Sequence, residues 1–201
     1  MADPAYIDAD GVLTDGEAWV GITTPTIAGS AATPVVFTST DDGQVGDFSQ
    51  YLDWVLIAYV RSEASSDPYT YIMVNNTTTA DGQWSQYMQG NGSAVSVNVD
   101  TWNAGKAWIW REINASMTAN AFTACYCHFF DINSGKYKSM VSCSAGDTGV
   151  YDGSGYRIYF AGSTIGTQAP ISSIEIPVYN GSGWSVGSMF SLFGVLPRMV
   201  S

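Results

Sequence analysis

The residues best suited to metal or redox chemistry lie in one short stretch, ACYCH, at positions 124–128. Thiolate and imidazole are ligands that zinc prefers, but structural zinc sites usually use Cys pairs separated by roughly two to four residues and four ligands in all. Cys125 and Cys127 are separated by a single residue, and in a strand they share one face while His128 lies on the other. We therefore expect Cys125, Cys127 and Cys143 to be buried thiols that act as small hydrophobic residues, and we expect no metal and no cofactor.

A second candidate for metal binding is the acidic segment DADGVLTDGE at residues 8–17. Its acids are oxygen ligands of the kind that calcium prefers: Asp8, Asp10, Asp15 and Glu17. The segment departs from the calcium-loop pattern because Gly comes at the fourth position and the third acid is missing. We favour an acidic turn over a calcium site here, and likewise for TDDGQVGD at residues 40–47.

No familiar catalytic motif accompanies these groups. The sequence contains no G-x-S-x-G elbow, no H-E-x-x-H and no P-loop. Glycoside hydrolysis needs only two suitably spaced carboxylates, so a carbohydrate-active enzyme of jelly-roll type stays an alternative. The acids beyond the N-terminal region lie mostly in turn-like segments, where solvated side chains are expected. We predict that the protein is not an enzyme.

Aromatic side chains are the remaining candidates for binding. Trp84 and Tyr87 in DGQWSQYMQGNG, and Trp102 in VDTWNAG, lie in loop-like contexts. Exposed aromatic rings in such places can stack on sugars or anchor a protein interface. The alternative is that these rings cover the end of the domain.

The elements that must position these residues are strands. In YLDWVLIAYVR the residues Leu52, Trp54, Leu56, Ala58 and Val60 form an apolar face at period two. SAVSVNVD, with Val95, Val97 and Val99 alternating with polar residues, predicts a half-buried strand. Turn material rich in Gly, Asn, Asp and Ser separates about eight to ten such runs, and no long amphipathic helix is found. This pattern predicts an all-β, jelly-roll-like antiparallel β-sandwich.

The C-terminal stretch ISSIEIPVYNGSGWSVGSMFSLFGV, residues 171–195, predicts two apolar strands joined by a Gly- and Ser-rich connection. The first strand should face the core through Ile174, Ile176 and Val178. The second should contribute one of two alternating rows, either Phe190 and Leu192 or Met189 and Phe193. Burial of such side chains explains how an acidic chain can end on so apolar a segment.

The charged residues are distributed unevenly along the chain. The net charge is −11, and residues 1–60 hold nine acidic residues and no Lys or Arg. Residues 1–44, which include GITTPTIAGSAATP, are predicted to form an extended acidic N-terminal arm that serves as a docking segment. Residues 45–201 are predicted to form the jelly-roll domain.

Composition also limits the partners. Phosphate contacts need clustered Lys and Arg, which this chain lacks, so we expect no nucleic acid. No run reaches the roughly 20 apolar residues that a membrane helix requires, so we expect no membrane partner. The N-terminus MADPAYIDADG lacks the basic-then-apolar order of a signal peptide, which predicts a protein made and kept in a cytoplasm or exported by another route.

Residues 171–195 resemble the closing hairpin of a widespread group of tailed-bacteriophage virion proteins, whose pattern reads I-x-S-I, a Gly-containing turn and G-S-x-x-S-L-[YF]-G. The stretches YLDWVLIAYVRSEAS, VNNTTTADGQWSQYMQGNGS and DINSGKYKS are also similar, and they occur in the expected order. The resemblance covers about residues 48–196 and leaves out the arm. It implies a jelly-roll domain on a phage particle, as a capsid decoration protein or a fibre tip, without catalytic residues. The residues matching the hairpin pattern are Ile171, Ser173, Ile174, Gly187, Ser188, Ser191, Leu192, Phe193 and Gly194.

The short chain and single domain favour a capsid decoration (cement) protein that binds the outside of the head and stabilises it. We expect the major capsid protein as partner, a homotrimer by analogy, and a place on the virion's capsid surface after assembly in the host cytoplasm. The alternative is a tail-fibre or receptor-binding module in which Trp84, Tyr87 and Trp102 recognise host surface glycans. The arm residues that would dock on the shell are Trp19, Val20, Ile22, Asp15 and Glu17, unless they fold back onto their own domain.

Overall fold

The computed structural model describes residues 19–29, 34–65, 69–76, 84–90, 94–100, 106–147, 156–179 and 182–196. Within these ranges the regular structure is β, apart from a short 3-10 helix at Phe48–Gln50, so the all-β prediction is confirmed. The strands are β1 Trp19–Thr23, β2 Val35–Thr38, β3 Asp53–Val60, β4 Tyr69–Val74, β5 Trp84–Gly90, β6 Val95–Asp100, β7 Ala107–Arg111, β8 Thr123–Phe130, β9 Lys138–Asp147, β10 Tyr156–Ile165, β11 Ser173–Ile176 and β12 Met189–Val195.

These strands form two antiparallel sheets that enclose one core. The larger sheet has the order β1-β12-β3-β8-β9-β10-β5-β6, and the smaller one has the order β2-β11-β4-β7. Most consecutive strands belong to different sheets, so the chain crosses the core repeatedly. The predicted antiparallel sandwich is therefore confirmed, while its jelly-roll form stays a prediction.

Alternate residues of β3 point into the core between the two sheets. Trp54, Leu56, Ala58 and Val60 are buried as predicted, whereas Leu52 precedes the strand and is exposed. The ring of Trp54 meets those of Phe48 and Phe129 edge-on, with centroids 4.3 and 6.1 Å away. Edge-to-face packing of this kind adds to the free energy that burial alone provides.

The two C-terminal strands supply the core rows that their alternation predicts, but they do not form a hairpin. The buried set is Ile174, Ile176, Val178, Phe190 and Leu192. The predicted closing hairpin is wrong because β11 lies in the smaller sheet and β12 in the larger one. Trp184, in the connection between them, is fully buried, and its indole N–H donates to the Ile176 carbonyl at 3.0 Å. The chain thus passes from the smaller sheet to the larger one instead of turning back within one sheet.

The described part of the predicted arm belongs to the sandwich. β1 pairs with β12 at one edge of the larger sheet, and β2 pairs with β11 at an edge of the smaller sheet. Val20, Val35 and Phe37 point inward and are buried. The predicted boundary near residue 45 therefore corresponds to a change in charge along the chain, not to a separation between an arm and a packed domain.

Strand β6 was expected to be half-buried through its valines, and this is wrong for the two valines whose side chains are described. Val95 and Val97 are 70% and 74% exposed. They lie on an edge strand and point away from the smaller sheet, while Ser96 and Asn98 point to the other side. Alternation located the strand correctly, but Ser96 and Asn98 are exposed as well, so neither face of its described residues is covered.

Buried serines of the larger sheet satisfy backbone groups of β7, the edge strand of the smaller sheet. The Ser85 hydroxyl accepts from the Trp108 N–H at 2.9 Å, and the Ser163 hydroxyl donates to the Trp108 carbonyl at 3.2 Å. Ser142 donates to the Ile109 carbonyl at 2.7 Å. A buried strand edge without such partners would carry unpaired polar groups, so the serines stabilise the contact between the two sheets.

Replacing Ser85 with alanine should lower the free energy of unfolding by about 1–3 kcal/mol, because the buried Trp108 N–H would lose its partner. Urea unfolding measures the effect. Ser139, an exposed serine of β9 in the same sheet, is the matched control, and Ser139→Ala should change the stability by less than about 0.5 kcal/mol. Equal effects of the two substitutions would show that the serine contacts do not stabilise β7.

Candidate functional site: the outer face of the larger sheet

Alternate residues of the larger sheet point away from the smaller sheet, and we call this surface the outer face. The strand register lines up one row of it across six neighbouring strands, β3, β8, β9, β10, β5 and β6. Directly opposed residues in antiparallel strands share a face and lie close enough to contact. In strand order the row is Ile57, Tyr126, Cys143, Phe160, Met88 and Val97.

The outer face is apolar although it is exposed. Phe160, near its middle, is 50% exposed. None of the strand residues that the structure describes on this face is Lys or Arg, and the acidic ones are Asp53 and Asp147. A solvated sheet face normally carries polar residues in alternation with the core residues. The exposed large apolar side chains here are Trp19, Ile57, Tyr59, Trp84, Met88, Val95, Val97, Phe130, Val141, Ile158, Phe160 and Met189.

A chain of hydrogen bonds holds Asp53, one of the two acids on this face. His128 Nε2 lies 3.2 Å from Asp53 Oδ2, and Tyr126 Oη lies 3.3 Å from His128 Nδ1. The second oxygen of Asp53 accepts the Asp131 N–H at 2.7 Å, and the His128 ring stacks on Phe130 with centroids 4.0 Å apart. With the proton on Nε2, every polar atom of the three side chains has a partner.

The order hydroxyl, imidazole, carboxylate is also the order of a nucleophilic triad. Here the hydroxyl is the phenol of Tyr126, and burial together with the nearby Cys127 and Cys143 thiols raises its pKa. A raised pKa makes the nucleophilic phenolate scarcer, which is the opposite of what nucleophilic catalysis requires. We therefore interpret the chain as a structural link between β3 and β8.

The cysteines divide between the two faces of the sheet. Cys125 and Cys127 are buried in the core, as predicted, and burial raises the pKa of both thiols well above the ordinary value. Cys143 is only partly buried, because it belongs to the outer-face row. The prediction of a buried thiol is wrong for Cys143. All three thiols are free.

The acidic loop at residues 40–47 uses its carboxylates to hold its own turns. Asp47 accepts the Ser49 hydroxyl at 2.7 Å and the N–H groups of Ser49 and Gly43, each at 2.9 Å, and Asp42 accepts the Thr40 hydroxyl and the Gln44 N–H. These hydrogen bonds lower the pKa of both carboxyl groups. Among the described residues, no three His, Cys, Asp or Glu side chains are grouped as a metal site. Asp8 and the other acids of residues 8–17 lie outside the described ranges.

The predicted docking residues have different environments. Trp19 is exposed on the outer face, with its ring centroid 6.2 Å from that of Phe193. Val20 is buried and Ile22 is partly buried against the core, which is the arrangement of the fold-back alternative. Asp15 and Glu17 lie outside the described part of the chain.

The predicted glycan-binding residues do not form one platform. Trp84 and Tyr87 both lie in β5 rather than in a loop, and their spacing of three places them on opposite faces. Trp84 is 55% exposed on the outer face. Tyr87 lies on the opposite face of the larger sheet, where its ring stacks on that of Tyr159 with centroids 4.9 Å apart. Trp102 lies outside the described residues.

The sequence contained part of the signal for the outer face. Tyr126 and Phe130 alternate with the buried cysteines, so the sequence of β8 shows apolar residues on both faces of the strand. An ordinary solvated sheet would have shown polar residues there. Periodicity does not show which of two apolar faces the second sheet covers. Only the order of the strands in the two sheets identifies the exposed face.

The fold and this surface together define an all-β sandwich with one exposed apolar sheet face. Comparisons with family models, with curated proteins and with solved structures found no match to the chain. In the described ranges, no helix has the length and apolar character needed to cross a membrane.

Proposed function

We propose that the protein is a structural protein of a tailed-bacteriophage virion, and specifically a capsid decoration (cement) protein that binds the outside of the head. The observation that carries the proposal is the apolar outer face. Soluble proteins that act as monomers rarely expose contiguous apolar patches larger than a few hundred Å2. A subunit held in a fixed assembly can keep such a surface covered, whereas catalysis or glycan binding would not require it.

The strand connections support the jelly-roll form of the sandwich, because repeated crossing between two antiparallel sheets is the pattern of its Greek keys. The residues that carry the phage resemblance also have structural roles in this fold. Ser188 is fully buried, and its hydroxyl donates to the Arg61 carbonyl at 3.2 Å and accepts the Arg61 N–H at 3.1 Å. Gly187 has φ +90°, a conformation that favours glycine.

The proposed contact with the major capsid protein lies at the β1 edge. There the exposed Trp19 follows directly on the acidic N-terminal residues in the sequence. An exposed tryptophan next to acidic groups suits a partner surface that offers a hydrophobic pocket with basic residues around it. The capsid surface is then the protein's location, after assembly in the host cytoplasm.

Cryo-EM reconstruction of intact particles, or labelling with a gold-conjugated antibody, tests the proposal. Density arranged over the head lattice is the expected result. Complete absence from purified particles would overturn the virion assignment. Density at the tail tip would overturn the decoration role and favour the second candidate.

The second candidate is a receptor-binding module, which Trp84 favours because its exposed ring at the start of β5 can stack on a sugar. On this hypothesis the protein binds a host-surface glycan at millimolar concentration and Trp84→Ala removes binding. Trp19→Ala is the matched control, since Trp19 is also exposed on the outer face but at the opposite end of the sheet order. No binding across a panel of host glycans would count against this candidate.

A further inference from the structure

We propose that the outer face is the surface through which two copies of this chain bind each other, face to face about a two-fold axis. The proposal goes beyond the decoration function and does not depend on it, because self-association is a property of the purified chain. In an isologous contact of this kind, the same row of residues meets its own copy. The central strands β8, β9 and β10 would lie at the middle of the interface.

The distribution of charge favours a second copy over an unrelated charged partner. The chain carries a net charge of −11, so two copies repel each other wherever their acidic surfaces approach. On the described outer face the strands contribute only two carboxylates, of which Asp53 is bonded to His128. A partner that bound through ion pairs would find no Lys or Arg there. The surface that best complements an apolar face with so few charges is another such face, and the same chain provides one.

The exposed area is sufficient for a stable dimer. Apart from Trp19, which is assigned to the capsid contact, eleven large apolar side chains are exposed on this face. At roughly 80 Å2 of accessible surface for each, about half of what a large side chain offers when fully exposed, they provide on the order of 900 Å2 per copy. Standard protein interfaces bury about 800 Å2 per partner. Two sheets that pack face to face lie about 10 Å apart, and at that separation their side chains can interdigitate as they do in a protein interior.

A matched pair of substitutions tests the proposal. Val141 lies on the outer face of β9 and is 48% exposed, and Val36 lies on β2 of the smaller sheet and is 49% exposed. Val141→Asp would place an unpaired carboxylate in the interface and should weaken the dimer by at least about 100-fold. Val36→Asp adds the same charge elsewhere and should leave the dimer intact. Sedimentation velocity and light scattering give the mass of each species, and circular dichroism verifies the fold.

The expected masses are two chains for the wild type and for Val36→Asp, and one chain for Val141→Asp. A monomeric wild type at high micromolar concentration would overturn the proposal. A trimeric wild type, or loss of the dimer in both variants to the same extent, would also contradict it.

Cys143 provides a second measurement that needs no variant. It is the outer-face thiol, whereas Cys125 and Cys127 are buried in the core. The reaction of native protein with a maleimide should therefore report on Cys143 and should slow as the concentration rises through the range of dimer formation. A labelling rate that stays constant while sedimentation shows a dimer would place the interface elsewhere and overturn the proposal. Because binding to phage heads is measured separately, failure of this test leaves the decoration function open.

Discussion

Replacing Gly194 with alanine should lower the free energy of unfolding by about 3 kcal/mol, a large effect for one methyl group. Gly194 lies within β12, where Val20 and Trp54 are its cross-strand neighbours. A Cβ at this position would lie well under 3.0 Å from three ring carbons of Tyr51. Carbon atoms at optimal contact are about 3.5–4.0 Å apart, so the ring or the strand would have to move.

Tyr51 has little room to move. The side chain is buried, and its hydroxyl donates to the Val45 carbonyl at 2.8 Å. Burial, with a smaller effect from the nearby Asp47 carboxylate, raises the pKa of Tyr51 to about 12. Shifting the ring would break that hydrogen bond as well as the packing, and for this reason we expect an effect near the upper end of the range for overpacking.

Gly162→Ala is the control for this prediction. Gly162 lies inside β10 of the same sheet, and no heavy atom lies within 4 Å of the position its Cβ would take. Alanine there should change the stability by less than about 1 kcal/mol and can stabilise the protein by restricting the unfolded chain. Denaturant unfolding of both variants gives the comparison. If Gly194→Ala matched Gly162→Ala, the close packing of Tyr51 on β12 would be contradicted.

The sequence predicts the fold class well because alternation reports directly on packing. In β3 and β8 the inward-facing residues recur at period two, and the buried residues Trp54, Leu56, Cys125 and Cys127 are the ones their spacing indicates. Sheet membership is harder to predict. The apolar strands β11 and β12 follow each other in the sequence, yet they lie in different sheets because the intervening Trp184 fills the core between them.

The site was harder to predict than the fold. Val97 looks like an ordinary core residue in the sequence, and only the sheet order shows that the smaller sheet does not cover it. The stretch around Trp84 and Tyr87 lacks clear alternation, so it suggested a loop, although both residues belong to β5. Local pattern therefore indicates what a residue can contact, and the order of strands decides what it does contact.

Glu112 gives the second large expected effect, which appears as a dependence of stability on pH. The side chain follows β7 and is fully buried, and neither carboxyl oxygen has a hydrogen-bond partner of standard geometry. Burial raises the pKa of Glu112 to about 8, although the Thr70 hydroxyl and the positive charges of Arg111 and Arg157 act in the opposite direction. In the folded protein at neutral pH this group is therefore a neutral carboxylic acid.

The raised pKa fixes the sign of the pH dependence. In the unfolded chain the pKa of Glu112 is near its ordinary value of 4.5, so between pH 4.5 and pH 8 the folded state binds a proton that the unfolded state has released. The contribution of Glu112 to stability is complete below pH 4.5 and is lost progressively as the pH rises to about 8. At about 1.4 kcal/mol per pKa unit, the full loss is about 5 kcal/mol.

Glu112→Gln should remove this part of the pH dependence, because the amide has nearly the shape of the protonated acid and does not ionise. Urea unfolding between pH 4.5 and pH 8 measures it, and the variant should gain stability relative to the wild type as the pH rises. Glu63→Gln, at an exposed glutamate, is the control and should keep the wild-type slope. A wild-type slope in Glu112→Gln would mean that the buried carboxyl is ionised in the folded protein. In that case the nearby Arg111 and Arg157 would have to outweigh the cost of burying its charge.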